Sequence, residues 1–155
     1  QAITRIALFG QQHLSNTSWA FATLAICDLP LLAAISSASI ASCLDFAPQG
    51  IANTPWSFAK LLVANHPLLD SLSSAAIPRL SELAEYNMAN SVWSWAASLL
   101  HNPPLFDAIA AQARLPISQF HVQGLHNTAW SFSRRSVSHR PLFAAIASES
   151  IRRIA

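Results

Sequence analysis

Apolar positions recur along this chain at helical spacing. From about Gln12 to Ile26, the residues Leu14, Thr17, Phe21, Leu24 and Ala25 share one helix face, and Trp19, Ala22 and Ile26 form a second apolar flank. From Pro30 to Cys43 a second element carries Leu31, Leu32, Ile35 and Ala38, and opens on a proline, which a first helical turn tolerates. No stretch alternates with period two, so no strand is expected. The pair then repeats. Asn16-Thr-Ser-Trp19-Ala-Phe21-Ala22 returns as Asn53-Thr-Pro-Trp56-Ser-Phe58-Ala59, as Asn90-Ser-Val-Trp93-Ser-Trp95-Ala96, and as Asn127-Thr-Ala-Trp130-Ser-Phe132-Ser133. The step is 37 residues each time, and Pro30, Pro67, Pro104 and Pro141 keep it, as do Phe9, Phe46, Leu83 and Phe120.

The spacing predicts first helices beginning near Gln12, Gln49, Tyr86 and Gln123, and second helices near Pro30, Pro67, Pro104 and Pro141. Short connectors make each pair antiparallel. A hairpin with two apolar flanks cannot bury both alone, so neighbouring hairpins must stack. The expected fold is all-α: one helical-repeat array over residues 1–155, an α-solenoid of four tandem hairpins with units at about 9–45, 46–82, 83–119 and 120–155.

Composition narrows the class. Hydrophobic residues make up 52% of the 155-residue chain and charged ones 10%, with a mean hydropathy of +0.34, which excludes a disordered segment. The longest uncharged runs, Ile6 to Cys27 and Tyr86 to Phe106, are interrupted by Gln, Asn and His, so no membrane span is expected. Two cysteines make no disulfide framework. Cys43 aligns with Ile6, Leu80, Ile117 and Ile154 and reads as a small core residue.

Candidate chemistry is sparse. The seven carboxylates are scattered, and neighbouring Glu82 and Glu85 read as solvated acids on a polar turn. His121 and His126 come nearest to a ligand pair, but five-residue spacing turns them to different faces and no third ligand completes them. No glycine-rich phosphate loop or nucleophile elbow is present. The expectation is no enzyme, no cofactor and no metal site. Trp19, Trp56, Trp93 and Trp130 could stack on exposed bases, but they stand beside small residues and are expected to pack between repeats as a structural core. The repeated asparagines suit either a ladder that fixes repeat register or direct contact with a ligand.

One face of the first helices is polar and nearly uncharged. It carries Gln12, Asn16, Ala20, Thr23 and Cys27, then Gln49, Asn53, Ser57 and Lys60, then Tyr86, Asn90, Ser94 and Ala97, then Gln123, Asn127, Ser131 and Arg134. A solenoid reading one base edge per unit needs such a face; a merely solvated surface is the alternative. Charge is uneven. From Arg114 onward six arginines stand against Glu149, a balance of +5, whereas the first 113 residues carry −3. Arg134, Arg135 and Arg140 form the one basic patch and would meet phosphates. The candidate RNA-binding residues are therefore Gln12, Asn16, Gln49, Asn53, Lys60, Tyr86, Asn90, Gln123, Asn127, Arg134, Arg135 and Arg140.

The repeated Asn-Thr-x-Trp-Ala/Ser-Phe-Ala, followed by Pro-Leu-Leu/Phe-x-Ala-Ile, resembles the heptatricopeptide repeats and the closely similar octotricopeptide repeats, which accompany RAP domains in organelle RNA-metabolism proteins. The resemblance spans essentially the whole chain and is weakest in the third unit, where Leu83, Tyr86 and Trp95 depart from it. It implies a non-catalytic protein that holds single-stranded or ribosomal RNA, placed in a mitochondrion or alternatively a plastid, as a subunit of a mitochondrial ribosome or other ribonucleoprotein with protein neighbours. A protein–protein scaffold inside an organelle complex is the alternative. Such proteins are usually longer, and a start at Gln1 without an initiator Met suggests a fragment or a processed chain.

Overall fold

In the computed structural model, residues 6, 8–98, 100 and 102–155 are described; Gln1, named above, lies outside them. They form eight α-helices and no strand: α1 (Gln11–Thr23), α2 (Leu29–Ala41), α3 (Pro48–Lys60), α4 (His66–Ala76), α5 (Glu85–Ala97), α6 (Pro103–Ala113), α7 (Val122–Arg134) and α8 (Arg140–Ile154). The odd-numbered helices, here the A helices, are each 13 residues long and start 37 residues apart. Observed starts fall within one residue of those expected. The even-numbered B helices follow after short connectors, and 3₁₀ turns at Cys43–Asp45, Ile77–Glu82 and Ile117–Gln119 lead from one hairpin to the next. The fold is all-α and solenoid-like.

The connector between A and B helices is built the same way in every unit that shows it. Ala25, Leu62 and Ser136 take positive φ (55°, 58° and 54°). Their N–H groups and those of the next residues turn back onto the helix: Ala25 to Ala22 and Ile26 to Phe21, Leu62 to Ala59 and Val63 to Phe58, Ser136 to Ser133 and Val137 to Phe132. This is a Schellman closure made without glycine. It ends α1 at Thr23, three residues before the expected Ile26. The next helix is then capped at a fixed step: Asp28, Asn65, Asn102 and His139 accept from the N–H of Leu31, Leu68, Leu105 and Leu142 at 3.0–3.2 Å.

Two layers result, and they pack differently. The A helices lie in a close row, α1 on α3, α3 on α5 and α5 on α7. Small buried residues allow this approach: Ser15, Ser18 and Ala22 on α1, Ala52, Ser57 and Ala59 on α3, Ala89, Ser94 and Ala96 on α5, Ser131 on α7. The hydroxyls of Ser57, Ser94 and Ser131 are satisfied inside their own helices, donating to the carbonyls of Asn53, Asn90 and Asn127 at 2.6–2.7 Å. The B helices touch one another less, because the 3₁₀ turns lie against them. The result is a tight A row and a looser B row.

The core runs between the layers. Phe46, Phe58, Leu68, Leu69, Trp95, Phe106, Phe120 and Phe132 are fully buried, and Phe106 meets Phe132 of the next hairpin edge-on at 5.2 Å. The ring that opens a unit sets the residue four places on. Phe46 and Phe120 pack under Gly50 and Gly124, whereas smaller Leu83 is paired with Asn87. In the first hairpin Phe9 instead meets His13 edge-on at 5.9 Å. Cys43 is partly buried against the core.

Candidate nucleic-acid interface

The A row presents an open groove of about 680 Å³ that touches all four hairpins. Its position follows from helix geometry. Residues three and four apart share a face of a helix, whereas residues two apart point to nearly opposite sides. Asn53, Trp56 and Lys60 of α3 therefore line the groove together, as do Tyr86, Asn90 and Trp93 of α5. Trp19 of α1 and Gln123 and Asn127 of α7 extend the wall, and Glu85 and His121 stand at its margin.

The same geometry divides the tryptophans: Trp56 and Trp93, in central units, keep most of their surface covered, whereas Trp19 and Trp130 in the end units are exposed. Trp56 and Phe58 cannot both face the core, and Phe58 does. Trp19 and Trp130 are 46% and 38% exposed, and Trp56 and Trp93 are partly buried, each with part of its ring left open to the groove. The buried aromatic row is Phe58, Trp95 and Phe132, two residues after each tryptophan. An indole is too large for the seam between A helices, where a serine or alanine sits. The expected polar stripe is rotated to match: Ser57, Ser94 and Ser131 go into the seam, and the tryptophans take their place on the open face.

Of the expected RNA-facing residues, the groove brings together Asn53, Lys60, Tyr86, Asn90, Gln123 and Asn127. Gln12, Asn16 and Gln49 are exposed on helices α1 and α3 outside its walls, and so is Arg134 on α7. Among the described residues, the side-chain amides of Asn16, Asn53, Asn90 and Asn127 bond to no neighbouring hairpin, so no register ladder forms and these amides are open to a ligand. Sequence reasoning missed Trp19, Trp56, Trp93, Glu85 and His121 as groove residues. The two-residue offset between the two aromatics of each motif was the signal for the tryptophans.

Electrostatics thin out the cations that the sequence offers. Arg152 and Arg153 both hold Glu149, whose carboxyl is drawn down to about 2, first by the hydrogen bond from Arg152 and then by that from Arg153. Arg153 also donates to the Ser118 carbonyl at 2.9 Å, tying α8 to the 3₁₀ turn before α7. Arg79 is engaged by Glu82 and by the Phe46 carbonyl at 2.8 Å. Lys60 Nζ lies 4.7 Å from the Trp56 ring centroid. Lys60, Arg134 and Arg135 end A helices and Arg140 opens a B helix, so these four cations share one edge of the array. Among the described residues, no three of His, Cys, Asp and Glu gather where a metal ion could be held.

Residues 10–155 match the family described as RESC6: RNA-editing substrate-binding complex 6 protein. The chain belongs to that family. Membership joins this helical array to a component of an RNA-editing substrate-binding complex, and so to RNA metabolism. No curated protein matches the chain. No helix among the described residues is long and apolar enough to cross a membrane.

Proposed function

We propose that this chain is a non-catalytic, RNA-holding subunit of a mitochondrial RNA-editing complex, built from repeats of the heptatricopeptide or octotricopeptide type. A single strand runs along the A face. Asn53, Tyr86, Asn90, Gln123 and Asn127 meet bases or sugars, while Arg134, Arg135 and Arg140, with Lys60, meet phosphates along the edge where the A helices end. Gln12, Asn16 and Gln49 flank that path. The observation that carries this reading is a groove touching all four hairpins and lined by amides that bond to no partner among the described residues, in a chain of an RNA-editing family. A mitochondrial ribosomal particle is the other assembly in which such an array would act, and a plastid the other compartment.

The test is binding to single-stranded RNA across a range of salt. Changing Arg134, Arg135 and Arg140 together to Ala should weaken all sequences alike and flatten the salt dependence, by about 0.7 for each phosphate no longer neutralised. Changing Tyr86 or Gln123 should instead alter which sequence is preferred. A scaffold role is favoured by one observation, the near balance of Lys60 and Glu85 in the groove. No affinity for any single strand at low salt would select it.

A further inference from the structure

We propose that the groove tryptophans Trp19, Trp56 and Trp93 are stacking platforms for unpaired bases, one indole from each of the first three 37-residue units, with Asn53 and Asn90, one turn before Trp56 and Trp93, set beside the base edge. This deepens the RNA reading above and rests on it. The first support is placement. The core is closed by Phe58, Trp95 and Phe132, so packing sets the indoles of Trp56 and Trp93 in the groove wall with part of each ring uncovered, and leaves Trp19 46% exposed. Large flat apolar faces held open in a row are costly to expose unless something covers them. The second support is the amides. Asn53 and Asn90 sit three residues before those indoles, on the same face, and among the described residues their side-chain amides bond to no partner.

The third support is charge. The groove carries Lys60 against Glu85, so its ligand must be recognised largely by uncharged surface. An unpaired base offers a π-face together with hydrogen-bonding edges, and a duplex hides both. Adjacent helices lie roughly 8–10 Å apart, well beyond the roughly 3.4 Å rise per base of a stacked strand. Bases seated on successive indoles are therefore splayed, as single-stranded RNA permits. Lys60 already lies over the Trp56 ring, and Arg134 follows Trp130 at the same four-residue spacing. A base arriving at Trp56 takes over the ring from Lys60, and the ammonium moves to the strand's phosphate.

The experiment titrates the 155-residue chain at low salt with a single-stranded RNA of about 12 nucleotides, within the usual site size. An abasic ribose-phosphate strand and an RNA duplex of the same length serve as comparisons. Tryptophan emission and the anisotropy of labelled RNA are read together. The base-bearing strand should quench the indoles and the abasic strand should not. Trp56→Leu and Trp93→Leu should each weaken binding about tenfold with the salt slope unchanged, while Trp56→Phe keeps most of the affinity. Should the Leu variants unfold, the Phe variants and the wild-type quenching still decide. Wild-type affinity in the Leu variants, alongside a loss in Arg134→Ala/Arg140→Ala, would overturn stacking and leave the RNA reading standing. Equal quenching by the abasic strand would do the same. No binding of any single strand would remove both.

Discussion

Gly50 shows how closely a single residue is tied to its surroundings. A Cβ there would meet Phe46 Cδ1 at 2.9 Å and Gln11 Oε1 at 3.2 Å, whereas at Gly124 the nearest atom, on Phe120, is 3.4 Å away. Gly50→Ala should therefore cost about 1–3 kcal/mol, the usual range for overpacking, and Gly124→Ala clearly less, as paired denaturant melts would show. The two aromatics of each motif differ in the same residue-by-residue way. Phe58→Ala should cost about 3–5 kcal/mol, the usual range for removing a buried ring, while Trp56→Ala, at a ring only partly buried, should cost less. Equal destabilisation in urea melts would mean that the indole is a core residue after all. The repeat of Asn, Trp and Phe was legible in the amino-acid sequence, and so was the open A face. The phenylalanine was legible as the core-facing aromatic; how far the tryptophan flank stays open was not, because its small neighbours were taken to mark the tryptophan's packing partner. They mark the helix seam instead.

At the scale of elements, helix starts were legible to within a residue because a proline after a polar cap announces each B helix and the 37-residue period carries the A helices. Helix ends were not. Glycine normally marks a left-handed closing residue, and here Ala25, Leu62 and Ser136 fill that place, so α1 read three residues too long. Leu62 is 90% exposed and its side chain adds no packing there. Leu62→Gly should raise stability by about 0.5–1 kcal/mol, the left-handed strain relieved less the added chain entropy of glycine, seen as a higher melting temperature. The caps make the reverse prediction. Asn65→Ala should lose about 1 kcal/mol, and Asn102→Ala more, because Asn102 Nδ2 also donates to Ser73 Oγ at 2.8 Å. The last helix adds a pH dependence. Glu149 titrates near 2 in the folded chain against an ordinary 4.5, so its anchoring of Arg152 and Arg153 is full above about pH 4.5 and lost as pH falls toward 2. In Glu149→Gln, acid unfolding followed by circular dichroism should lose that component and begin from a less stable protein.

Across the whole molecule, stability is a sum of hairpins and the interfaces between neighbours. Phe58 belongs to a hairpin with partners on both sides, so Phe58→Ala should broaden or split thermal unfolding as well as lower it; one sharp transition in calorimetry would argue for a single cooperative block. The close A row and the looser B row have a mechanical meaning. In a bent beam, one layer keeps its length while the other opens or closes. Here the serine-lined seam makes the A helices the inextensible layer, and the 3₁₀ turns give the B side its slack. Flexing the array therefore changes its curvature without changing the distance from one A helix to the next. The groove is thus laid out like a graduated ruler, its divisions set by the 37-residue spacing of the A helices on the tight layer.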